Sequence, residues 1–285
     1  MTIVEQVSPA CINVRFNNVS AGWEQWIMLS SDRHFDSVKC DRTLMKKHLE
    51  LAKERDALVI DVGDFFDAMQ GRYDPRRSYA EMRPEYAKDV YLDAIVADAA
   101  KFLLPYADRF LMIGRGNHDQ SIVKNNSVDI VSNLVYHLNR ETGSQIKVGG
   151  YGGWVRFLFN SGRKTSINLK YFHGSGGDAP VTRGVLNTAR QGLYLPDADI
   201  VVNGHNHNAY HVPISRERLS IQGVVSQDVM HHVRTPSYAI DYGDGTANWH
   251  VERGGPPKPR GCVWLKFSFD ASTHKVHSTF YIDVI

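Results

Sequence analysis

Cysteine is scarce in this chain. Cys11, Cys40 and Cys262 are the only three in 285 residues. Their odd count and lack of any C-x-x-C spacing exclude a disulfide framework and an all-thiolate metal site. They point instead to a reducing, cytoplasmic setting. Long apolar runs are missing as well: no stretch of about 18 apolar residues exists to span a bilayer, so no membrane association is expected. The opening M-T-I-V-E-Q-V-S-P-A has neither a basic n-region nor a long apolar h-region, and no signal peptide is expected from it. Charge of one sign is absent too. Lys and Arg number 33 against 31 Asp and Glu, a net of +2, too little for the global basic field that drives bulk nucleic-acid binding. Gly174-Ser175-Gly176-Gly177 lacks the Lys-Ser/Thr of a P-loop and reads as a flexible turn. There is no internal repeat and no low-complexity tract.

What is present is an ordinary globular composition, with 42% hydrophobic and 22% charged residues, and thirteen histidines. The length suits a single domain over residues 1–285 with a core of its own. Short apolar runs at Trp26–Leu29, Ala57–Ile60, Phe110–Ile113 and Ile200–Val202 read as buried strands. Residues 154–159, the alternating 167–171, and 262–268 and 277–284 near the C-terminus read as further strands. After Asp41, a candidate N-cap, Leu44, Met45, His48, Leu49 and Ala52 recur at helical spacing, and Tyr91, Ala94, Ile95, Ala99 and Phe102 do the same. Strand–helix–strand–helix–strand order predicts an α/β domain with parallel strands. The strand-rich second half predicts a second or mixed sheet, which strands within 211–285 would complete.

Each strong strand candidate ends in polar residues that can bind metal. Trp26–Leu29 runs into Ser31-Asp32-Arg33-His34, and Ala57–Ile60 into Asp61-Val62-Gly63-Asp64-Phe65-Phe66-Asp67. Phe110–Ile113 runs into Gly116-Asn117-His118-Asp119, strand 167–172 into His173-Gly174, and Ile200–Val202 into Asn203-Gly204-His205-Asn206-His207. Ligands of α/β sheets bind just beyond the carboxyl ends of the strands, so these five ends would converge.

Asp32, His34, Asp64, Asn117, His173, His205 and His207 pool carboxylate, amide and imidazole donors without a thiolate. That set suits borderline or harder divalent ions: manganese first, with iron, zinc or nickel also matching. Seven donors exceed one tetrahedral site, whereas two ions roughly 3.5–4 Å apart, sharing a carboxylate, would use them all. On an extended backbone, Asp32-x-His34 and His205-x-His207 would place each pair on one face. A turn-forming role for polar residues at strand ends explains any one of these residues, but would require five coincidences to explain all.

D-x-H (32–34), G-D-x-x-D (63–67), G-N-H-D (116–119), H-G (173–174) and G-H-x-H (204–207), in that order, resemble the calcineurin-like metallophosphoesterases over roughly residues 24–210. The resemblance implies a four-layer α/β/β/α sandwich with two mixed sheets and a dinuclear metal site at the strand edge. It implies a hydrolase that cleaves phosphate esters by a two-metal, bridging-hydroxide mechanism. Asp32, His34, Asp64 and His207 would hold one ion, and Asp64, Asn117, His173 and His205 the other. His118 would assist the leaving group, with Asp67 or Asp119 orienting its imidazole. The serine/threonine protein phosphatases carry a phosphate-binding arginine after G-D-x-x-D and end the third motif in Glu. Here Ala68 and Asp119 stand at those places, closer to the exonuclease and phosphodiesterase branches. The expected substrate is therefore a phosphodiester in a nucleotide or nucleic acid. A phosphomonoesterase acting on a small metabolite or phosphoprotein, and a non-catalytic metal-binding scaffold, are the alternatives.

Three arginines are candidate substrate contacts. Arg33 sits between two ligands, where it either meets a phosphate or faces solvent. Arg76 and Arg77 lie in the loop Gly71–Pro84, whose arginines and tyrosines suit phosphates and bases, though a solvated surface loop would look similar. His211, His231 and His232 read as packing or surface residues.

Overall fold

The computed structural model describes residues 2–68, 82–86, 90–162, 164–177, 182, 184–242, 249–252 and 254–285. In chain order the first half holds β1 (Thr2–Ser8), β2 (Cys11–Phe16), β3 (Glu24–Ser30), α1 (Arg42–Glu54), β4 (Leu58–Asp61), α2 (Tyr91–Leu103), β5 (Phe110–Ile113), α3 (Asn117–Asn126) and α4 (Ile130–Thr142). The second half holds β6 (Lys147–Val148), β7 (Gly152–Asn160), β8 (Lys164–Phe172), α5 (Val185–Tyr194), β9 (Ile200–Asn203), β10 (Tyr210–Leu219) and β11 (Val225–Arg234). A short α6 (Trp249–Glu252), β12 (Gly261–Asp270) and β13 (Lys275–Val284) follow.

Two mixed sheets form. The first has the order β13-β12-β3-β4-β5-β6 and the second β1-β2-β7-β8-β9-β11-β10. β3 to β6 pair in parallel, and Ile27, Met28 and Leu29 are buried on both faces, which is why that run is continuous rather than alternating. β2 and β7 alternate buried and exposed positions, so one face of the second sheet looks outward there.

The C-terminal strands depart from expectation. β10 and β11 do extend the second sheet, but β12 returns to pair antiparallel with β3, carrying β13 to the edge of the first sheet. Register explains the choice: Val263, Leu265 and Phe267 come beside Leu29, Ile27 and Gln25, and add their apolar side chains to the seam between the sheets.

That seam is filled from both sides. Phe16, Val155, Phe157, Phe159, Leu169 and Val202 of the second sheet meet Ile27, Leu29, Ile60, Leu111 and Phe267 of the first. Phe157 packs edge-on to Phe267 with centroids 4.9 Å apart. Helices α1, α2 and α4 cover the other face of the first sheet. α1 starts where the sequence predicts, with Asp41 accepting a hydrogen bond from the Leu44 backbone at 2.9 Å. Its buried stripe is Leu44, Met45, His48, Leu49 and Ala52. None of the described helices is long and apolar enough to cross a membrane.

Candidate metal centre

The sheets bring all seven predicted donors together, but not on extended backbone. β3 ends at Ser30 and β9 at Asn203, so the donors lie in the turns beyond them. Asp32, His34, Asp64, His205 and His207 have φ values of 50°, 45°, 53°, 75° and 55°. They make up half of the ten non-glycine residues with positive φ among the described residues. Such conformations cost of order 1–3 kcal/mol each and persist where surrounding contacts over-determine them. The paired spacing therefore works through left-handed turns, which swing each side chain inward.

Two glycines let the turns after β4 and β5 cross. A Cβ on Gly116 would lie 2.0 Å from Asp64 Oδ1, and one on Gly63, whose φ is +116°, would lie 2.5 Å from the Gly116 nitrogen. The buried Asp119 carboxylate locks this crossing. It accepts from the backbone N–H groups of Asp64 and Gly116, both at 2.9 Å, and of Phe66 at 3.3 Å. Burial, with the neighbouring charge of Asp64, raises the Asp119 pKa to about 7. The hydrogen bonds of the Asp119 carboxylate thus go to backbone rather than to the His118 ring.

Asp67 is the group that faces His118. The His118 Nδ1–H donates to the Asp67 carbonyl at 2.7 Å, with Asp67 Oδ1 at 3.3 Å. This leaves His118 Nε2 pointing to the donors, 3.9 Å from Asp64 Oδ2. Asp67 Oδ1 also lies 3.0 Å from His34 Nδ1. Burial opposes charge on Asp67, but His34 and His118 outweigh it and lower its pKa.

Within the cluster, acceptor meets acceptor. His173 Nδ1 is 3.2 Å from the Val62 carbonyl, to which it donates. Its Nε2 then presents a lone pair to Asp64 Oδ2 at 3.0 Å and Asn117 Oδ1 at 3.2 Å. His205 Nδ1 lies 2.8 Å from the same Asn117 oxygen. His34 Nε2 and His207 Nε2 face each other at 3.3 Å, and His207 Nε2 is 3.4 Å from Asp32 Oδ1. Asp32 Oδ1 is buried without a hydrogen-bond partner, while Asp32 Oδ2 accepts from the His205 backbone at 2.8 Å and from the Ser31 hydroxyl.

Without a metal, protons must fill these gaps. Burial disfavours charge on His34, yet Asp67, Asp64 and Asp32 raise its pKa to about 10. His173, equally buried, is raised to about 9 by Asp64 and Asp32. Asp32 and Asp64 go the other way: burial opposes their charge, but His173 and the other imidazoles hold both well below the usual carboxylate range. Asp32, His34, Asp64 and His173 are buried and Asn117, His205 and His207 half-buried. Carboxylates, imidazoles and one amide, with acceptors converging and an imidazole N–H held by a backbone carbonyl, are the donor chemistry of a divalent-metal site. Asp32, His34 and His207 are close enough to share one ion, and so are Asp64, His173 and His205.

The predicted substrate arginines fare differently. Arg33 neither meets the site nor faces solvent. It is fully buried, donating to Asp61 Oδ2 at 2.5 Å and to Ser30 Oγ at 2.8 Å, under the rings of Phe65, Phe110 and Tyr238. The reversal has a physical cause. Left-handed turns at Asp32 and His34 aim those two inward to the site, so the residue between them points into the core, where Asp61 offers a carboxylate. Arg76 and Arg77 lie outside the described residues. Arg83, at the end of that loop, donates to the carbonyls of Ser37 at 3.0 Å and Cys40 at 3.2 Å.

Two supports escaped the sequence reading. Asp36 accepts from the backbone N–H groups of Asp67 at 2.7 Å and Ala68 at 3.0 Å, and from the Tyr91 hydroxyl at 2.5 Å. Its only signal was a carboxylate two residues after His34. Arg234 donates to the Gly204 carbonyl and so braces the His205 turn from β11; nothing in its sequence neighbourhood announces this.

No family model matches the chain, and no curated protein does. Among solved structures it is similar to a conserved uncharacterised protein of Streptococcus pneumoniae described as a predicted phosphoesterase, at 13% identity and a TM-score of 0.34, covering 92% of this chain and 99% of that one. It is also similar to GAP50, the anchor in the inner membrane complex of Plasmodium, at 14% identity and a TM-score of 0.40, covering 90% of this chain and 84% of that one. The chain's own side chains supply the functional clue: a largely buried His/Asp cluster that could hold divalent metal.

Proposed function

We propose that this chain is a metal-dependent phosphoesterase of the calcineurin-like kind, a phosphodiesterase acting on nucleotides or nucleic acid. In this reading residues 1–285 form one domain, a four-layer α/β/β/α sandwich, and the cluster holds two ions. Asp32, His34, Asp64 and His207 would hold the first; Asp64, Asn117, His173 and His205 would hold the second. The observation that carries the reading is His173 Nε2 lying 3.0 Å from Asp64 Oδ2 and 3.2 Å from Asn117 Oδ1, acceptors that need a proton or a cation between them. When bound, the ions supply activation of water and neutralisation of charge on the phosphoryl group.

The chain's own residues supply the rest. Asp67 holds His118 in one orientation through its carbonyl, with its carboxylate Oδ1 3.3 Å from the same ring nitrogen. From Nε2, His118 donates a proton to the departing oxygen of the ester. Asp36, Asp61 and Asp119 fix the turns that carry the donors. Presence of all seven donors together with an aimed His118 favours an enzyme over a scaffold.

The test reconstitutes the protein with Mn²⁺, Ni²⁺, Zn²⁺ or Fe²⁺ and assays an aryl phosphodiester, an aryl phosphomonoester, cyclic nucleotides and DNA ends. Turnover of diesters above monoesters is expected. Turnover of monoesters alone would replace the diesterase reading, and no turnover with any metal would leave a scaffold.

A further inference from the structure

α3 does more than present Asn117 and His118 at its start. Residues 117, 120, 121 and 124 recur at helical spacing and share one face. That face, with Tyr151 opposite, lines a cavity of about 510 Å³. One end of the cavity is Asn117, whose oxygen belongs to the donor cluster. The other is Lys124, seven residues on and therefore roughly 10 Å along the helix axis. Lys124 is exposed and forms no ion pair among the described residues. Among the described residues that line the cavity none is a carboxylate, and Lys124 is the one cation. Tyr151 is held in place: its hydroxyl donates to the Gly174 carbonyl at 2.7 Å, and its ring packs edge-on to His173 with centroids 5.5 Å apart. Along the groove a ligand meets ring surface beside the donor cluster, then the amide of Gln120, then a cation.

We infer that this groove is the substrate's second subsite. It takes a phosphodiester that carries a ring next to the scissile phosphate and a second phosphate one to two helical turns away, the pattern of an oligonucleotide end. Tyr151 stacks the ring, and Lys124 pairs with the second phosphate. The assignment rests on the phosphodiesterase reading for the identity of the first phosphate.

The experiment uses a dithymidine dinucleotide with and without a terminal phosphate at its 5′ or 3′ end. Affinities are measured by calorimetry on the full-length, manganese-reconstituted His118→Ala chain, and hydrolysis on the wild type. One phosphorylated form is expected to bind about tenfold more tightly than the unphosphorylated one. Lys124→Ala should erase that preference, while Lys101→Ala, an exposed lysine on α2, should keep it. Tyr151→Leu should weaken all forms together. Equal affinity for all forms, or a preference that survives Lys124→Ala, overturns the subsite. The two readings fail separately. A binding preference without hydrolysis of any ester contradicts the phosphodiesterase and leaves the subsite standing; hydrolysis of all forms at equal kcat/KM does the reverse.

Discussion

From the first sheet come Asp32, His34, Asp64 and Asn117, on turns after β3, β4 and β5; from the second come His173, His205 and His207, after β8 and β9. Both carboxylates and the amide thus sit on one side of the seam, and three of the four imidazoles on the other. The supports differ as well. First-sheet turns are held by buried carboxylates, with Asp36, Asp61 and Asp119 each accepting backbone N–H groups. Second-sheet turns hang on carbonyls: Asn203 Nδ2 donates to the Phe172 carbonyl at 2.8 Å, and Arg234 to that of Gly204. Neither half can hold the site alone. Packing between the sheets is therefore as much a part of the candidate site as the donors.

The sharpest way to break that partnership is at Asp64, the first-sheet residue that both proposed ions would share. Asp64→Ala should abolish binding of both ions and, with it, activity. His118→Ala should keep both ions and lose about 10²–10⁴-fold in kcat. Metal analysis beside kinetics checks the pair, and loss of metal from the His118 variant would make that residue a ligand. Next in size is the seam itself. Phe157→Ala should cost about 3–5 kcal/mol of stability by leaving a cavity against Phe267, and should loosen metal binding without touching a donor. Denaturant unfolding and metal titration read it; unchanged metal affinity would mean the halves act independently.

Two carboxylates of the first sheet sharpen the comparison further. Asp67→Asn should lower kcat by about 10–100-fold, because it removes the carboxylate charge 3.3 Å from His118 Nδ1 while leaving the carbonyl contact in place. Asp119→Asn should act on melting temperature rather than on kcat, since Asp119 touches backbone and not His118. The reverse pattern would restore Asp119 as the orienting group.

The smallest effect belongs to the second sheet. His232 is buried with neither ring nitrogen hydrogen-bonded, and burial together with the Arg216 charge lowers its pKa to about 4. The unfolded chain takes up that proton near 6.5, so the folded state loses stability as pH falls from 6.5 towards 4. His232→Leu should flatten the fall of melting temperature over that window, and an unchanged slope would remove His232 from the account.

Much of this was legible in the sequence because it is local. The buried runs at 26–29, 57–60, 110–113 and 200–202 and the α1 periodicity appear as read, and the seven donors do converge. What escaped depends on pairing at a distance. The N-terminal hairpin β1–β2, joined to β7, has no strong run of its own. β12 chose β3 over the second sheet through register, which no local pattern encodes. Arg33 looked like a substrate contact because its partner Asp61 is 28 residues away, and the turn geometry that sends it inward is invisible in D-x-H.

The central claim is that donors from both sheets form one two-metal site. Anomalous diffraction at the manganese edge from crystals of the reconstituted protein tests it most directly. Two peaks roughly 3.5–4 Å apart are expected, with Asp64 between them, one near Asp32, His34 and His207 and the other near Asn117, His173 and His205. A single peak, or manganese bound away from these seven side chains, would contradict it.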